Sequence, residues 1–222
     1  ESDLLMGAHN KDSESGMAYI ALGPHSGTTV ASDADVVLSP ATGDYLGRAV
    51  SAAGDMNGDG LNDLLIGVPR DDTSASNAGA TYLVYGSASI ASLSGSDADS
   101  VYDAAIFGDT SDIQIGAQIE GGRDFDNDGT SDILIGSSSY GTVDEGAAFF
   151  YYGPISGSLS LSDADATLMG SNSSDSAGDR GLIIEDLNGS GAGGLLIDVS
   201  GADGLDGTSS VGGAFLVDEL GL

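Results

Sequence analysis

The sequence contains no cysteine, so neither a disulfide nor a thiolate metal site can form. Its only cations besides histidine are Lys11, Arg48, Arg70, Arg123 and Arg180. Five are too few for a basic patch, and no nucleic-acid partner is expected. No apolar run approaches the ~18 residues of a membrane span, which argues against membrane insertion. Histidine is nearly absent: His9 and His25 both fall in predicted loops and read as surface residues. No serine sits in a G-x-S-x-G elbow. With no base, nucleophile or paired carboxylates set across a cleft, the chain is not expected to be an enzyme.

What the sequence has is glycine, 36 residues, and acid, 35 residues, for a formal net charge of −30. Such a surface repels nucleic acid and anionic lipid, and attracts cations. Its self-repulsion opposes compaction unless salt or bound cations relieve it. Hydrophobic residues make up 40%, too many for a disordered acidic tail. The glycine has no three-residue period, which excludes collagen. Short apolar runs bounded by Gly, Ser, Asp and Asn read as short strands joined by tight turns.

The chain repeats itself. Asp63-Leu64-Leu65-Ile66-Gly67 is echoed by Asp132-Ile133-Leu134-Ile135-Gly136, by Asp3-Leu4-Leu5-Met6-Gly7 and, in worn form, by Gly194-Leu195-Leu196-Ile197-Asp198. A second echo follows each: Gly16 to Gly23, Gly79 to Gly86, Gly146 to Gly153 and Gly213 to Val217. Ser-Asp-Ala-Asp recurs at Ser32, Ser96 and Ser162 and reads as a polar turn before each outer strand. The copies lie roughly 60 to 70 residues apart, near the range of propeller or solenoid units. In the second unit the strand-length runs are Gly47 to Ala53, Leu64 to Val68, Thr81 to Tyr85 and Ala104 to Phe107. Four short antiparallel strands per unit describe a propeller blade, which needs neighbouring copies to bury both faces. The aromatic row Phe149 to Tyr152, echoed by Tyr82 and Tyr85, reads as packing between blades. The expected units are 1–43 (partial), 44–110, 111–172 and 173–222 (degenerate).

Two loops carry chemistry. Asp55-Met56-Asn57-Gly58-Asp59-Gly60-Leu61-Asn62-Asp63 and Asp124-Phe125-Asp126-Asn127-Asp128-Gly129-Thr130-Ser131-Asp132 both fit D-x-[DN]-x-D-G-x-x-D. Calcium takes six to eight oxygen ligands in a flexible cage. Side chains at positions 1, 3 and 5, the backbone carbonyl at 7 and the carboxylate at 9 can converge on one ion, and glycine at 6 permits the turn. The expected ligands are therefore Asp55, Asn57, Asp59, Leu61 and Asp63, and Asp124, Asp126, Asp128, Thr130 and Asp132. The last carboxylate comes at position 9, and a strand follows, so the loop belongs to a β-hairpin and not to an EF-hand. Four aspartates against three favour tighter binding at the Asp124 loop. The third loop keeps Asp186 and Asn188 but has Ser190 at position 5 and Gly194 at position 9, which predicts weak binding or none. In the first unit Asp3 corresponds to position 9.

These residues resemble FG-GAP repeats, the units of the integrin α-subunit propeller and of many bacterial surface proteins. The Phe-Gly position reads Leu46-Gly47, Ile115-Gly116 and Ala177-Gly178, each Gly eight residues before its loop's first Asp. The Gly-Ala-Pro position reads Gly67-Val68-Pro69, Gly136-Ser137-Ser138 and Gly7-Ala8-His9. The resemblance implies an all-β, propeller-like array of four-stranded antiparallel blades, about three and a half here, with calcium in hairpins at one face. A seven-bladed ring would not close, so the chain is expected to be part of something longer or to complete its sheets with another copy. The implied function is adhesion or binding of a protein or glycan ligand, outside the cell. The alternative is a calcium-stabilised, self-associating surface or fibre subunit that exchanges strands between copies. The expected cofactor is Ca2+ at two sites.

Overall fold

In the computed structural model, which describes residues 2–28, 30–40, 43–184, 194–203 and 212–218, the chain is all-β. The first sheet holds β1 (Leu4–Gly7), β2 (Ala18–Ala21) and β3 (Val36–Leu38). The second holds β4 (Val50–Gly54), β5 (Asp63–Val68), β6 (Ala80–Val84) and β7 (Ala104–Phe107). The third holds β8 (Gln118–Arg123), β9 (Asp132–Ser137), β10 (Ala147–Tyr151) and, after a short strand β11 (Gly157–Ser160), β12 (Ala166–Met169). The fourth holds β13 (Ala177–Ile184), β14 (Gly194–Val199) and β15 (Gly213–Asp218). Sequential strands pair antiparallel in every sheet, as in propeller blades. The degenerate loop at Asp186 and Asn188 lies outside the described residues.

Side-chain alternation explains the stacking. Along β5, Leu65 enters a core shared with Ile133, Ile135 and Phe149 of the third sheet. Its neighbour Ile66 enters a core shared with Ala18, Ile20 and Leu38 of the first. A third core joins Leu134 and Phe150 to Leu195 and Ile197 of the fourth sheet. Each inner sheet is thus apolar on both faces, which is why its strands read as continuous hydrophobic runs rather than alternating ones. Phe149, Phe150 and Tyr151 are buried, placing the aromatic row in this packing.

The opening strand of the second unit begins at Val50 and not at Gly47. Tyr45 and Gly47 both take positive φ, 60° and 75°, and turn the chain first. Equivalent corners recur at Gln114 and Gly116 and at Ser176 and Gly178. The residue between, Leu46, Ile115 or Ala177, is buried and bridges the glycine that opens the preceding unit's third strand: Gly16, Gly79 or Gly146. The two signature glycines meet across units. A Cβ on Gly7, Gly67 or Gly136 would overlap the carbonyl oxygen of Gly47, Gly116 or Gly178, respectively. Only glycine permits that approach.

One connection departs from a simple array. β11, from the third unit, pairs parallel with β7 of the second, Gly157 to Ala104 through Ser160 to Phe107. The second unit treats the first in the same way. Gly95 N–H donates to Val37 O at 2.8 Å, and Ala98 N–H to Ser39 O at 2.8 Å, along β3. The outer edges β3 and β7 are therefore each covered by the unit that follows, which removes an open strand edge. The Ser-Asp-Ala-Asp segments form 3-10 turns ahead of β3, β7 and β12, as their reading as polar turns requires.

Candidate metal centre

Each carboxylate loop is the tip of a hairpin: residues 55–62 join β4 to β5, and 124–131 join β8 to β9. In the first, Asp55 Oδ1 accepts from Gly58 N–H at 2.7 Å and Asp59 N–H at 3.1 Å, and Asp55 Oδ2 accepts from Gly60 N–H at 2.9 Å. Asn57 Oδ1 accepts from Asp59 N–H, and Asp59 Oδ1 from Leu61 N–H. The second loop repeats this. Asp124 Oδ1 accepts from Asp128 N–H at 3.1 Å and Asp124 Oδ2 from Gly129 N–H at 2.8 Å. Asp126 accepts from Asp128 N–H and Asp128 from Thr130 N–H. These Asx turns curl the backbone so that side chains at positions 1, 3 and 5 face one another. Carboxylate oxygens of Asp124, Asp126 and Asp128 all lie within 4.8 Å of one another. Three like charges held so close repel unless a cation joins them, and an all-oxygen set suits a hard divalent ion. The Asp55 loop has Asn57 in place of the middle carboxylate, with its amide donating to Asp59 Oδ2 at 3.2 Å.

Asp63 and Asp132 stand at the base of the loops and are buried. Asp63 Oδ2 accepts from Met56 N–H at 2.8 Å and Oδ1 from Gly86 N–H at 2.8 Å. Asp132 does the same with Phe125 N–H at 2.6 Å and Gly153 N–H at 3.0 Å. Burial pushes Asp63 up and Asp132 up to about 6, against the pull of these amides. Asp3 accepts from Gly23 N–H at 2.8 Å, so the first unit keeps the position-9 contact. Of the position-7 residues, Leu61 is 44% exposed, while Thr130 is half-buried with its side chain beside Gly153.

Sequence reasoning passed over position 2 of the loops. Met56 is wholly buried in the core between the second and third sheets, and Phe125 in the core between the third and fourth. The signal was present: each is the lone large apolar residue in the first five loop positions. Arg48, close to a loop in sequence, precedes β4 and so lies at the strand end away from that loop. His9 stacks on Tyr45 and His25 Nε2 lies 3.0 Å from Ala21 O.

Residues 46–84, which hold the first of these hairpins and its buried base, fit the family model of the FG-GAP repeat. The chain carries an FG-GAP repeat. It is 38% identical to integrin alpha-M of Mus musculus over 95 residues, 42% of this chain and 8% of that protein. It is 38% identical to integrin alpha-4 of Xenopus laevis over 112 residues, 50% of this chain and 10% of that protein. The matched stretch is thus a tenth or less of each of these relatives. The FG-GAP match ends at Val84, the end of β6, and so takes in β4, the loop and the two strands that follow it. Among the described residues, no helix is long and apolar enough to cross a membrane.

Proposed function

We propose that this chain is a non-enzymatic, calcium-binding FG-GAP array that acts outside the cell in adhesion or ligand binding. The observation that supports it most directly is the carboxylate cluster of Asp124, Asp126 and Asp128 within 4.8 Å. Asp132 and the carbonyl of Thr130 would complete that site, and Asp55, Asn57, Asp59, Leu61 and Asp63 would form its counterpart. Bound calcium would fix each hairpin tip, while Met56 or Phe125 ties the tip to an inter-sheet core. The likeness to the two integrins supports an adhesive role on the extracellular side.

The test is thermal melting in calcium and after chelation. An ion that binds only the folded chain adds about 2.7 kcal/mol at a hundredfold excess over its dissociation constant. Chelation should lower the melting temperature by several degrees, and Asp126→Ala should shrink that difference. A melting temperature indifferent to calcium in the native chain overturns the metal assignment.

One observation favours the second reading, strand exchange between copies. β12 occupies the place of β3, yet Ala166 and Leu168 are only half-buried where the equivalent Val36 and Leu38 are fully buried, and Met169 on its other face is 48% exposed. Light scattering in calcium decides: a concentration-dependent rise in mass supports exchange, and a constant monomer mass removes it.

A further inference from the structure

The chain's few cations are gathered, not scattered. Two adjoining clefts, each of about 190 Å³, share Gln118 and Gly136. Arg48 and Arg70 line one, and Arg180 lines the other. Three of the five lysines and arginines thus surround one spot on a chain of net charge −30. The carboxylates that line the two clefts are Asp179 and Glu120, and Glu14 reaches Arg70 from outside at 3.9 Å. Three positive and three negative groups here contrast with 5 and 35 in the whole chain. An anion therefore meets less repulsion here than the net charge of the chain implies.

The first cleft is built from equivalent positions of successive units. The positive-φ corner residue contributes Tyr45 and Gln114. The residue after the corner glycine contributes Arg48, Ala117 and Asp179. The end of the Gly-Ala-Pro position contributes Pro69 and Ser138. The fold fixes the backbone at these points, since the corners and the glycine contacts recur, while the side chains differ from unit to unit. That is the arrangement of a ligand site on a shared scaffold. All of it lies at the strand ends away from the carboxylate loops, because Arg48 precedes β4 and Arg70 follows β5. Arg70 is already oriented, its guanidinium 4.1 Å over the Tyr45 ring. Gln114, Gln118 and Ser138 add neutral donors.

We propose that this cleft binds a carboxylate group of a ligand between the guanidinium groups of Arg48 and Arg70. The planar, permanently charged fork of arginine suits a carboxylate, and the amides and hydroxyl around it can take the remaining lone pairs. This deepens the ligand-binding reading above and is independent of calcium.

The experiment is an NMR titration of the whole chain with N-acetyl-aspartyl amide, which carries one carboxylate, and with N-acetyl-lysyl amide, which carries one ammonium. The Arg48 and Arg70 Nε–H signals and the Gln114 and Gln118 side-chain amides should shift saturably with the first probe alone. Arg48→Gln should weaken that binding about fivefold or more, and added salt should weaken it further. Arg70→Gln should do the same; should losing the Tyr45 contact unfold it, the exposed Arg48 still gives a clean variant. No saturable shift, equal shifts with both probes, or an Arg48→Gln chain that binds as the native one does overturns the proposal. Both titrations are run in calcium and in chelator. Carboxylate binding in a chain whose melting ignores calcium leaves this site standing and removes the metal reading; the converse removes this site alone.

Discussion

Asp63 accepts an amide hydrogen on each carboxylate oxygen and is buried, whereas Asp59, four residues earlier, lies exposed on the loop. The two aspartates sit in one motif but belong to different parts of the physics. Asp63 ties the loop's second residue to the end of the third strand, from Met56 to Gly86, and Asp132 ties Phe125 to Gly153. Such bonds to a charged acceptor are short and strong, and leaving a buried amide without one costs roughly 1–3 kcal/mol. Asp63→Asn keeps one acceptor and turns an NH2 group toward an amide N–H. In chelator it should lower stability by about 1–3 kcal/mol, read from the urea midpoint, while Asp59→Asn changes it by less than about 0.5 kcal/mol. A chelated Asp63→Asn chain more stable than the native one would show that charge repulsion outweighs the two hydrogen bonds.

At the scale of the element, the hairpins were legible from the chain and the edges between units were not. The nine-residue loop motif, the strand after it and the glycine eight residues before it are local patterns, and a local pattern is written in consecutive residues. The partnership of Gly67 with Gly116 joins residues far apart, and nothing in either pentapeptide states it. The same holds for β11, whose Gly-Ser-Leu-Ser sequence carries little strand propensity and is held by pairing with β7. Position 2 of the loops was readable but was masked by the metal motif around it. Leu159 packs against the core between the second and third sheets from β11. Leu159→Asp should therefore speed hydrogen exchange at Ala104 to Phe107 at least tenfold and leave β13 and β14 unchanged. Equal acceleration across all four sheets would mean that β11 supports the whole fold and not one edge.

For the whole molecule, charge and packing oppose each other. Three inter-sheet cores draw the sheets together, and 35 acidic residues against five basic ones push the surface apart. Monovalent salt shortens the screening length from about 10 Å at 0.1 M to about 3 Å at 1 M. In chelator, sodium chloride over that range should raise the melting temperature by several degrees. With calcium bound the rise should be smaller, since part of the repulsion is already neutralised. A melting temperature flat in salt would place the acidic residues too far apart to matter.

The covering of β3 by residues 94–98, and of β7 by β11, gives the chain a direction in time as well as in space. As the polypeptide is made from its N-terminus, the first sheet can form once Leu38 has emerged, yet its outer edge stays open until the second unit has been extended past its third strand. The second sheet waits in turn for Ser160. Maturation of these two sheets therefore trails synthesis by about one unit, and a ribosome stalled between two units would display a finished sheet with a raw margin, the form in which such a chain is most exposed to pairing with a stranger.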